Sequence, residues 1–203
     1  MKKYELPEDT VTVYGKTLYR IRAVRDFGSV KTGEFGGYIE KEENLSHFGN
    51  AWVFGNAWVF DNAKVYDDAW VFGNAWVFDN ARVYDNAWVF GNAWVFGNAK
   101  VYDDAWVCGD AKVYGDAWVS GNAEVFNTRH FFVQGPIGSR DGYVTFYRTK
   151  DDTVEVRCGC FSGSLQKFVD RVEETHGGSR YEKEYKLAAE LAKVCIRLEG
   201  ESR

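Results

Sequence analysis

The sequence predicts a mainly β protein, a triangular parallel β-helix with an N-terminal hairpin cap and a small C-terminal ββαα module. Alanine recurs every six residues from Ala51 to Ala123, and a valine stands two residues after each alanine, from Val53 to Val125. Neighbouring side chains of a strand point to opposite faces, so these alanines and valines share one face. Gly, Asp and Asn, which favour turns, close each repeat. Each six-residue repeat is therefore predicted to be a short strand and a corner.

A longer period of three repeats divides the coil into three faces. The residue after alanine is Trp, Trp and then Lys or Arg, as in Trp70, Trp76 and Arg82, and the residue after valine is Phe, Phe and then Tyr. Three equal sides in each turn match a triangular coil whose stacked strands lie about 4.8 Å apart. Because the small Ala and Val side chains fill a narrow bore, the aromatic rings are predicted to face outward.

Residues 1–44 are predicted to form the N-terminal hairpin cap and an irregular first coil. Two alternating runs within residues 10–24 flank Gly15 and indicate a β-hairpin. A hairpin at this place would cover the backbone and core that the open end of a solenoid exposes. The hexapeptide-repeat β-helix is assigned to residues 45–127, with His47 at a position equivalent to the inward valines.

Residues 128–203 are predicted to form the ββαα module. Alternating runs at Tyr143–Tyr147 and Thr153–Cys158 indicate a hairpin. Apolar residues at helical spacing over 165–172 indicate one helix, and a capping box that begins at Ser179 opens a second.

Composition restricts the class of protein. The 203 residues carry a formal net charge of −5, and no run of about 18 apolar residues is present to span a membrane. The opening MKKYELPEDT has lysines without a following apolar stretch, unlike a secretory signal. Four cysteines in such a chain indicate reduced thiols rather than a disulfide framework. A cytoplasmic protein without a membrane partner is therefore predicted.

The repeat carries a resemblance to a known superfamily. Val53–Trp58 and Val101–Trp106 resemble the hexapeptide repeat of bacterial transferase-type left-handed parallel β-helices, and the resemblance extends over residues 45–126. It implies a left-handed coil. It also implies acyl transfer as an alternative function, because many members of this superfamily are acyltransferases.

The regions that flank the repeat resemble narrower groups. Ala23–Gly28 and Gly36–Glu40 resemble the uncharacterised YdcK-like branch of the superfamily, and Cys158–Gly163 with Glu174–Gly177 resembles a small module of phage and prophage β-helix proteins. The second resemblance implies a phage- or prophage-encoded protein that acts in the cytoplasm of a bacterial host. A host protein, such as a defence component that the chain blocks or sequesters, is the partner it implies.

The sequence predicts no catalytic, cofactor or metal site. An acyltransferase of this superfamily typically uses a histidine base, and for His47 and His130 no partner carboxylate is identifiable. Four residues could supply metal ligands: Cys158, Cys160, His176 and Cys195. They form one close pair with a single spacer and two widely separated single residues, whereas zinc sites usually show two pairs with two to four residues between their members. Thiols that pack the sheet against a helix are the favoured interpretation.

Two outward ladders of Trp and Phe are the predicted interface. Together they form an unusually large apolar surface, which favours self-association into a dimer or trimer. Cover by the C-terminal helices, a flat ligand such as a nucleobase, and simple stacking that stabilises the coil remain alternatives. The ladder residues are Trp52, Phe54, Trp58, Phe60, Trp70, Phe72, Trp76, Phe78, Trp88, Phe90, Trp94, Phe96 and Trp106.

The third face is basic and interleaved with tyrosine. Such a stripe would favour binding of nucleic acid, but acidic corners flank it and the chain has a net negative charge. A solvated face, with cationic groups over the Tyr rings and near the corner aspartates, is the preferred interpretation. Its residues are Lys64, Tyr66, Arg82, Tyr84, Lys100 and Tyr102.

These observations predict a non-catalytic binding or scaffold protein that forms a homo-oligomer through its aromatic ladders. An acyltransferase and a small-molecule or nucleotide sponge are the alternatives. An acyltransferase would lose turnover when His47 or His130 is replaced, whereas a sponge would gain thermal stability from its ligand without turnover.

Overall fold

The computed structural model describes residues 2–198. Its N-terminal cap contains four strands, in which β2 and β3 form the predicted hairpin about Tyr14 and Gly15. Strand β4 pairs antiparallel with β3 and, through Tyr38 opposite Trp58, parallel with a strand of the coil, so the cap sheet continues one face of the coil. The cap strands are β1 (Tyr4–Glu5), β2 (Thr10–Val13), β3 (Lys16–Ala23) and β4 (Phe35–Ile39), followed by a 3₁₀ helix at Glu42–Asn44.

The predicted coil is confirmed as a β-solenoid of about five turns. Its thirteen strands pair in parallel with residues eighteen positions away, as Trp88 does with Trp70 and Trp106. The repeat alanines and valines are fully buried and fill the bore. The strands are β5 (Trp52–Val53), β6 (Trp58–Val59), β7 (Lys64–Val65), β8 (Trp70–Val71), β9 (Trp76–Val77), β10 (Arg82–Val83), β11 (Trp88–Val89), β12 (Trp94–Val95), β13 (Lys100–Val101), β14 (Trp106–Val107), β15 (Lys112–Val113), β16 (Trp118–Val119) and β17 (Glu124–Val125).

Hydrogen bonds between successive turns hold the coil along its whole perimeter. On a strand, the Trp88 amide donates to the Ala105 carbonyl at 2.9 Å. At a corner, the Asn74 amide donates to the Gly91 carbonyl at 2.8 Å, and side-chain amides form a further ladder there, from Asn74 to Asn92 at 3.3 Å. Other amides close the corners within a turn, as the Ala81 amide does by donating to the Phe78 carbonyl at 3.3 Å, and together these bonds keep the three faces flat and regular.

The C-terminal module has four strands rather than the two that alternation predicted, followed by the two predicted helices. The additional strands carry weak patterns, because Gly135 and Pro136 interrupt the first and Gly163 lies in the short last one. The Ser179 hydroxyl accepts from the Glu182 amide at 3.3 Å, which confirms the second helix start. The elements are β18 (Phe131–Ile137), β19 (Gly142–Arg148), β20 (Val154–Cys158), β21 (Phe161–Ser164), α1 (Leu165–His176) and α2 (Arg180–Cys195).

The module closes the C-terminal end of the coil. The Trp118 amide donates to the Thr145 hydroxyl at 3.0 Å, and the Arg157 side chain donates to the Ser120 hydroxyl at 2.8 Å. Ser120 is buried at this junction. The two ends of the coil are therefore both covered, and its sides present the surfaces available for binding.

Candidate binding site: the open aromatic ladder

One of the two predicted ladders remains open, and we call it the open ladder. It lies on the face formed by β5, β8, β11 and β14. Within the described chain, every ring contact of Trp70, Trp88 and Trp106 is with another member of this ladder. Its members are Phe54, Trp70, Phe72, Trp88, Phe90 and Trp106.

Stacking defines the shape of the open ladder. The Trp70 and Trp88 rings lie 5.3 Å apart with planes 4° from parallel, and the Trp88 and Trp106 rings lie 5.2 Å apart at 1°. Phe72 and Phe90 stack in the same way at 4.7 Å and meet the Trp column edge to face. Because the flat faces pack on one another, the ring edges face solvent. The result is a ribbed, rigid apolar strip of half-buried rings, on which Trp106 is 39% exposed.

The cap and the junction limit the open ladder at its two ends. At the N-terminal end the column continues to Trp52, which Tyr4 and Phe27 cover at ring distances of 6.0 and 5.2 Å. At the C-terminal end the Trp column gives way to Glu124, which lies 3.5 Å from a guanidinium nitrogen of Arg148.

The prediction that all thirteen ladder residues are surface residues is wrong for Trp52 and Phe60. Both side chains lie outside the bore, but Trp52 is fully buried and Phe60 is 4% exposed. The cap packs over them, since Phe60 forms a cluster with Val13 and Leu18 of the hairpin. The repeat alone gives no sign of this cover, because the covering residues come from the cap.

The second ladder lies partly under the hairpin. Tyr14, at the hairpin turn, meets Trp76 edge to face at 6.0 Å. At the far end the Lys112 amine lies 4.4 Å from the Trp94 ring. The members of this hairpin-side ladder are Trp58, Phe60, Trp76, Phe78, Trp94 and Phe96. The stack continues from Phe96 to Tyr114 at 5.6 Å, and Tyr114 meets Phe131 of the module edge to face at 5.8 Å, so this ladder has ring contacts with both the cap and the module.

The basic face is solvated, but its cations do not all lie as predicted. Lys64 and Arg82 are exposed, whereas the Lys100 amine lies 4.0 Å from the ring of Trp118 in the next turn. The tyrosines form a third stack with ring distances of 4.9 Å from Tyr66 to Tyr84 and 5.0 Å from Tyr84 to Tyr102. Burial in this stack, with smaller contributions from the neighbouring tyrosines and aspartates, raises the pKa of Tyr84 to about 12.

An acidic corner separates the basic face from the open ladder, and we call it the acidic ridge. Three successive turns contribute carboxylates there, and the turns are joined directly, since the Asp68 amide donates to the Asp85 carbonyl at 3.0 Å. The opposite edge of the open ladder is formed mainly by Gly and Asn, as at Gly73 and Asn74. The ridge consists of Asp67, Asp68, Asp85, Asp103 and Asp104.

The comparisons with known proteins agree with this architecture. Residues 81–97 match the YdcK Beta solenoid repeat family. The match spans about one turn, and together with the parallel coil it supports a β-helix repeat protein. No curated protein matches the chain. In the part of the chain that the structure describes, no helix is long and apolar enough to cross a membrane.

The histidines lie in three separate places. His47 stacks on Tyr4 at 4.3 Å beneath the cap, and its Nδ1 accepts from the Lys3 amide at 3.2 Å. His130 is buried at the junction, where its Nδ1 accepts from the Phe126 amide at 3.3 Å. His176 ends α1. The geometry brings no two of these histidines into one site.

The prediction that thiols pack the sheet against a helix is confirmed for Cys158 and is wrong for Cys160. Cys158 is half-buried beside Tyr185, but Cys160 is exposed at the β20–β21 turn. Burial raises the pKa of the Cys108 thiol to about 11, so that thiol is a poor nucleophile. Among residues 2–198, no group of three or more His, Cys, Asp or Glu is placed to hold a metal ion.

One apolar feature was not anticipated from the sequence. Leu187, Leu191 and Val194 of α2 are exposed, on the side opposite the buried Ala188 and Ala192. Their spacing of four and three residues is a helical signal. It was missed because the same helix also carries the alanine face that packs on the module.

Proposed function

We propose that this protein is a non-catalytic binding or scaffold protein whose contact surface is the open ladder. The observation that supports the proposal is the strip of six half-buried rings from Phe54 to Trp106. In the described chain these rings contact each other and Trp52 of the same face, and they contact no ring of the cap or the module. Contiguous apolar strips with rigid aromatic residues are typical of protein-binding surfaces. A ribbed strip of this kind binds with little loss of side-chain entropy, because stacking already holds the rings.

Stacking for stability alone is a weaker explanation of the open ladder. The basic face places Lys64, Arg82 and Lys100 at the positions that Trp70, Trp88 and Trp106 occupy on the open face. Cations in the same outward column therefore support the same coil. The fold therefore does not require the aromatic residues of the open face, and binding is the role we propose for them.

The proposed partner is a protein. The resemblance of the C-terminal module to phage-borne proteins favours a protein of a bacterial host cytoplasm, and a defence component that the chain blocks or sequesters is the specific proposal. Self-association through the same rings is the other proposed contact, because a repeated strip is complementary to itself.

The double variant Trp70→Lys/Trp88→Lys tests this function. Light scattering coupled to size exclusion measures self-association, and affinity purification from bacterial lysate measures partner capture. We expect the native chain to show at least one of these contacts and the double variant to lose it. The thermal unfolding midpoint should change little, since cross-strand aromatic pairs contribute about 0.2–1 kcal/mol each.

The matched control is Trp76→Lys/Trp94→Lys, the same two substitutions in the equivalent stacked pair of the hairpin-side ladder. It should keep the contacts of the native chain. If the double variant retains every contact of the native chain, the open ladder is not the binding surface.

A further inference from the structure

The acidic ridge borders the open ladder from Trp70 to Trp106, and the opposite border is close to neutral. Carboxylates line one edge in three successive turns, whereas Asn56, Asn74 and Asn92 line the other and Asp110 stands only at its end. Successive strands of a sheet lie about 4.8 Å apart, so the carboxylates of the ridge repeat at that spacing. The surface is therefore electrostatically one-sided.

The cations of the basic face, Lys64, Arg82 and Lys100, lie beyond the far side of the ridge, and Lys3 beneath the cap interacts with Asp68, but few cations pair with the ridge directly. In residues 2–198 the cation within ion-pair distance is Arg157, 3.8 Å from Asp103. The other hydrogen-bond donors are neutral: the Asn50 side chain donates to Asp68 at 2.9 Å, and the Asn86 side chain donates to Asp104 at 3.1 Å. These amides satisfy carboxylate oxygens without cancelling their charge, so the ridge keeps a negative field beside the rings.

We infer that the open ladder and the acidic ridge together bind a protein segment with a row of apolar side chains and, beside it, a row of Lys or Arg. This inference rests on the proposed function and specifies the partner's chemistry. The apolar row covers the Trp and Phe edges, and the basic row lies against the carboxylates. A strip of about 15–20 Å accommodates an amphipathic helix of roughly 10–14 residues, at 1.5 Å per residue.

The ridge also disfavours some other occupants. A second copy that packed ladder on ladder with its coil axis reversed would place ridge against ridge, and apposed like charges oppose association, whereas a copy with a parallel axis would place each ridge against the neutral border. The same field repels phosphate, which disfavours nucleic acid on this face. Charges at the border of an interface act mainly on orientation and association rate, so binding should weaken as salt rises.

Two synthetic helical peptides of about 14 residues test the inference with the full chain. Both carry Leu at positions i, i+4 and i+7, and one has Lys along the neighbouring flank where the other has Glu. Fluorescence anisotropy of the labelled peptides measures each Kd at low and at physiological salt. We expect the Lys peptide to bind at least about tenfold more tightly than the Glu peptide at low salt, and this ratio to shrink as salt is added.

Two matched triple variants separate the ridge from overall charge. The first, Asp68→Asn/Asp85→Asn/Asp104→Asn, keeps the hydrogen-bond acceptors and should abolish the preference for Lys. The fold should tolerate it, because Asn accepts the φ of 55° found at Asp85 and already stands at Asn50 and Asn86 in this corner. The control makes the same change in net charge away from the open ladder and should keep the preference. It is Asp79→Asn/Asp116→Asn/Asp151→Asn.

The outcomes distinguish failure of this inference from failure of the proposed function. If Trp70→Lys/Trp88→Lys abolishes binding but both peptides bind the native chain equally well, the ladder binds and the inference about the ridge is wrong. If that double variant still binds the Lys peptide like the native chain, the open ladder is not the binding surface and both proposals fail. Failure of the native chain to bind either peptide at millimolar concentration also overturns the inference.

Discussion

Lys3 is a fully buried cation beneath the cap. Its amine donates to the Ala51 carbonyl at 2.7 Å and lies 4.9 Å from the centre of the Phe27 ring. Burial, reinforced by the neighbouring Arg25 charge, lowers the pKa of the Lys3 amine to about 8. The cap therefore covers Trp52 at the cost of placing a charge where solvent does not reach, and this cost depends on pH.

The lowered pKa of Lys3 predicts that stability rises with pH between about 8 and 10. In this window the unfolded chain, with a lysine pKa of about 10.4, binds a proton that the folded chain has lost, so the free energy of unfolding increases with pH. Below about pH 8 both states are protonated and the penalty is constant. Urea unfolding at a series of pH values measures the slope, which Lys3→Met should remove.

The window for Lys3 ends near pH 10 because the lysine of the unfolded chain also loses its proton there, and tyrosine titration acts in the opposite direction above that pH. The raised pKa of Tyr84 keeps the folded state protonated when the unfolded tyrosine has ionised, so stability then falls as pH rises. An unchanged slope between pH 8 and 10 in Lys3→Met would mean that another group is responsible.

At the scale of the element, the turns stack so closely that some corners accept only glycine. Gly91 has a φ of 70°, and a Cβ there would lie 2.9 Å from the Gly109 nitrogen of the next turn. Gly115 has a similar φ of 67°, yet nothing lies within 4 Å of its Cβ position. The backbone conformation is the same at both corners, and only the next turn differs.

We therefore predict that Gly91→Ala destabilises the protein more than Gly115→Ala. Both variants carry the left-handed penalty of about 1–2 kcal/mol, and Gly91→Ala adds an overpacking cost of roughly 1–3 kcal/mol, because two backbone segments must move apart. Chemical denaturation measures the difference in free energy of unfolding. Equal losses would show that the turns separate without cost.

At the scale of the whole molecule, the two end structures cover the strand edges and the bore at the ends of the coil. Strand β4 continues the sheet at one end, and at the other Thr149 forms a bridge with Ala123 while Arg148 is buried over the Phe126 ring. An uncovered solenoid end would present unpaired strand edges and an apolar bore, which favour association. Both ends of the coil are thereby covered, whereas its sides and the Leu187, Leu191 and Val194 face of α2 remain exposed.

Removal of residues 128–203 should convert the protein into an end-to-end oligomer. The truncation exposes the edges of β16 and β17, so the mass measured by light scattering should rise with concentration. Association should persist when Trp70→Lys/Trp88→Lys is added, because it depends on strand edges rather than on the open ladder. A truncated chain that remains monomeric would show that the module is not needed to block this end.

The sequence by itself determined the coil, its three faces and the inward position of Ala and Val, because these follow from a local period that each turn repeats. It also predicted the β2–β3 hairpin and the start of α2 at Ser179, since turn and capping signals are local. Only the tertiary structure decided that Trp52 and Phe60 are covered, that Phe131–Ile137 and Phe161–Ser164 are strands, and which ladder remains open. The cover and the open ladder depend on contacts between the repeat and the cap, which the period of the repeat does not encode. The two strands form by pairing with β19 and β20, although Gly and Pro weaken their own pattern.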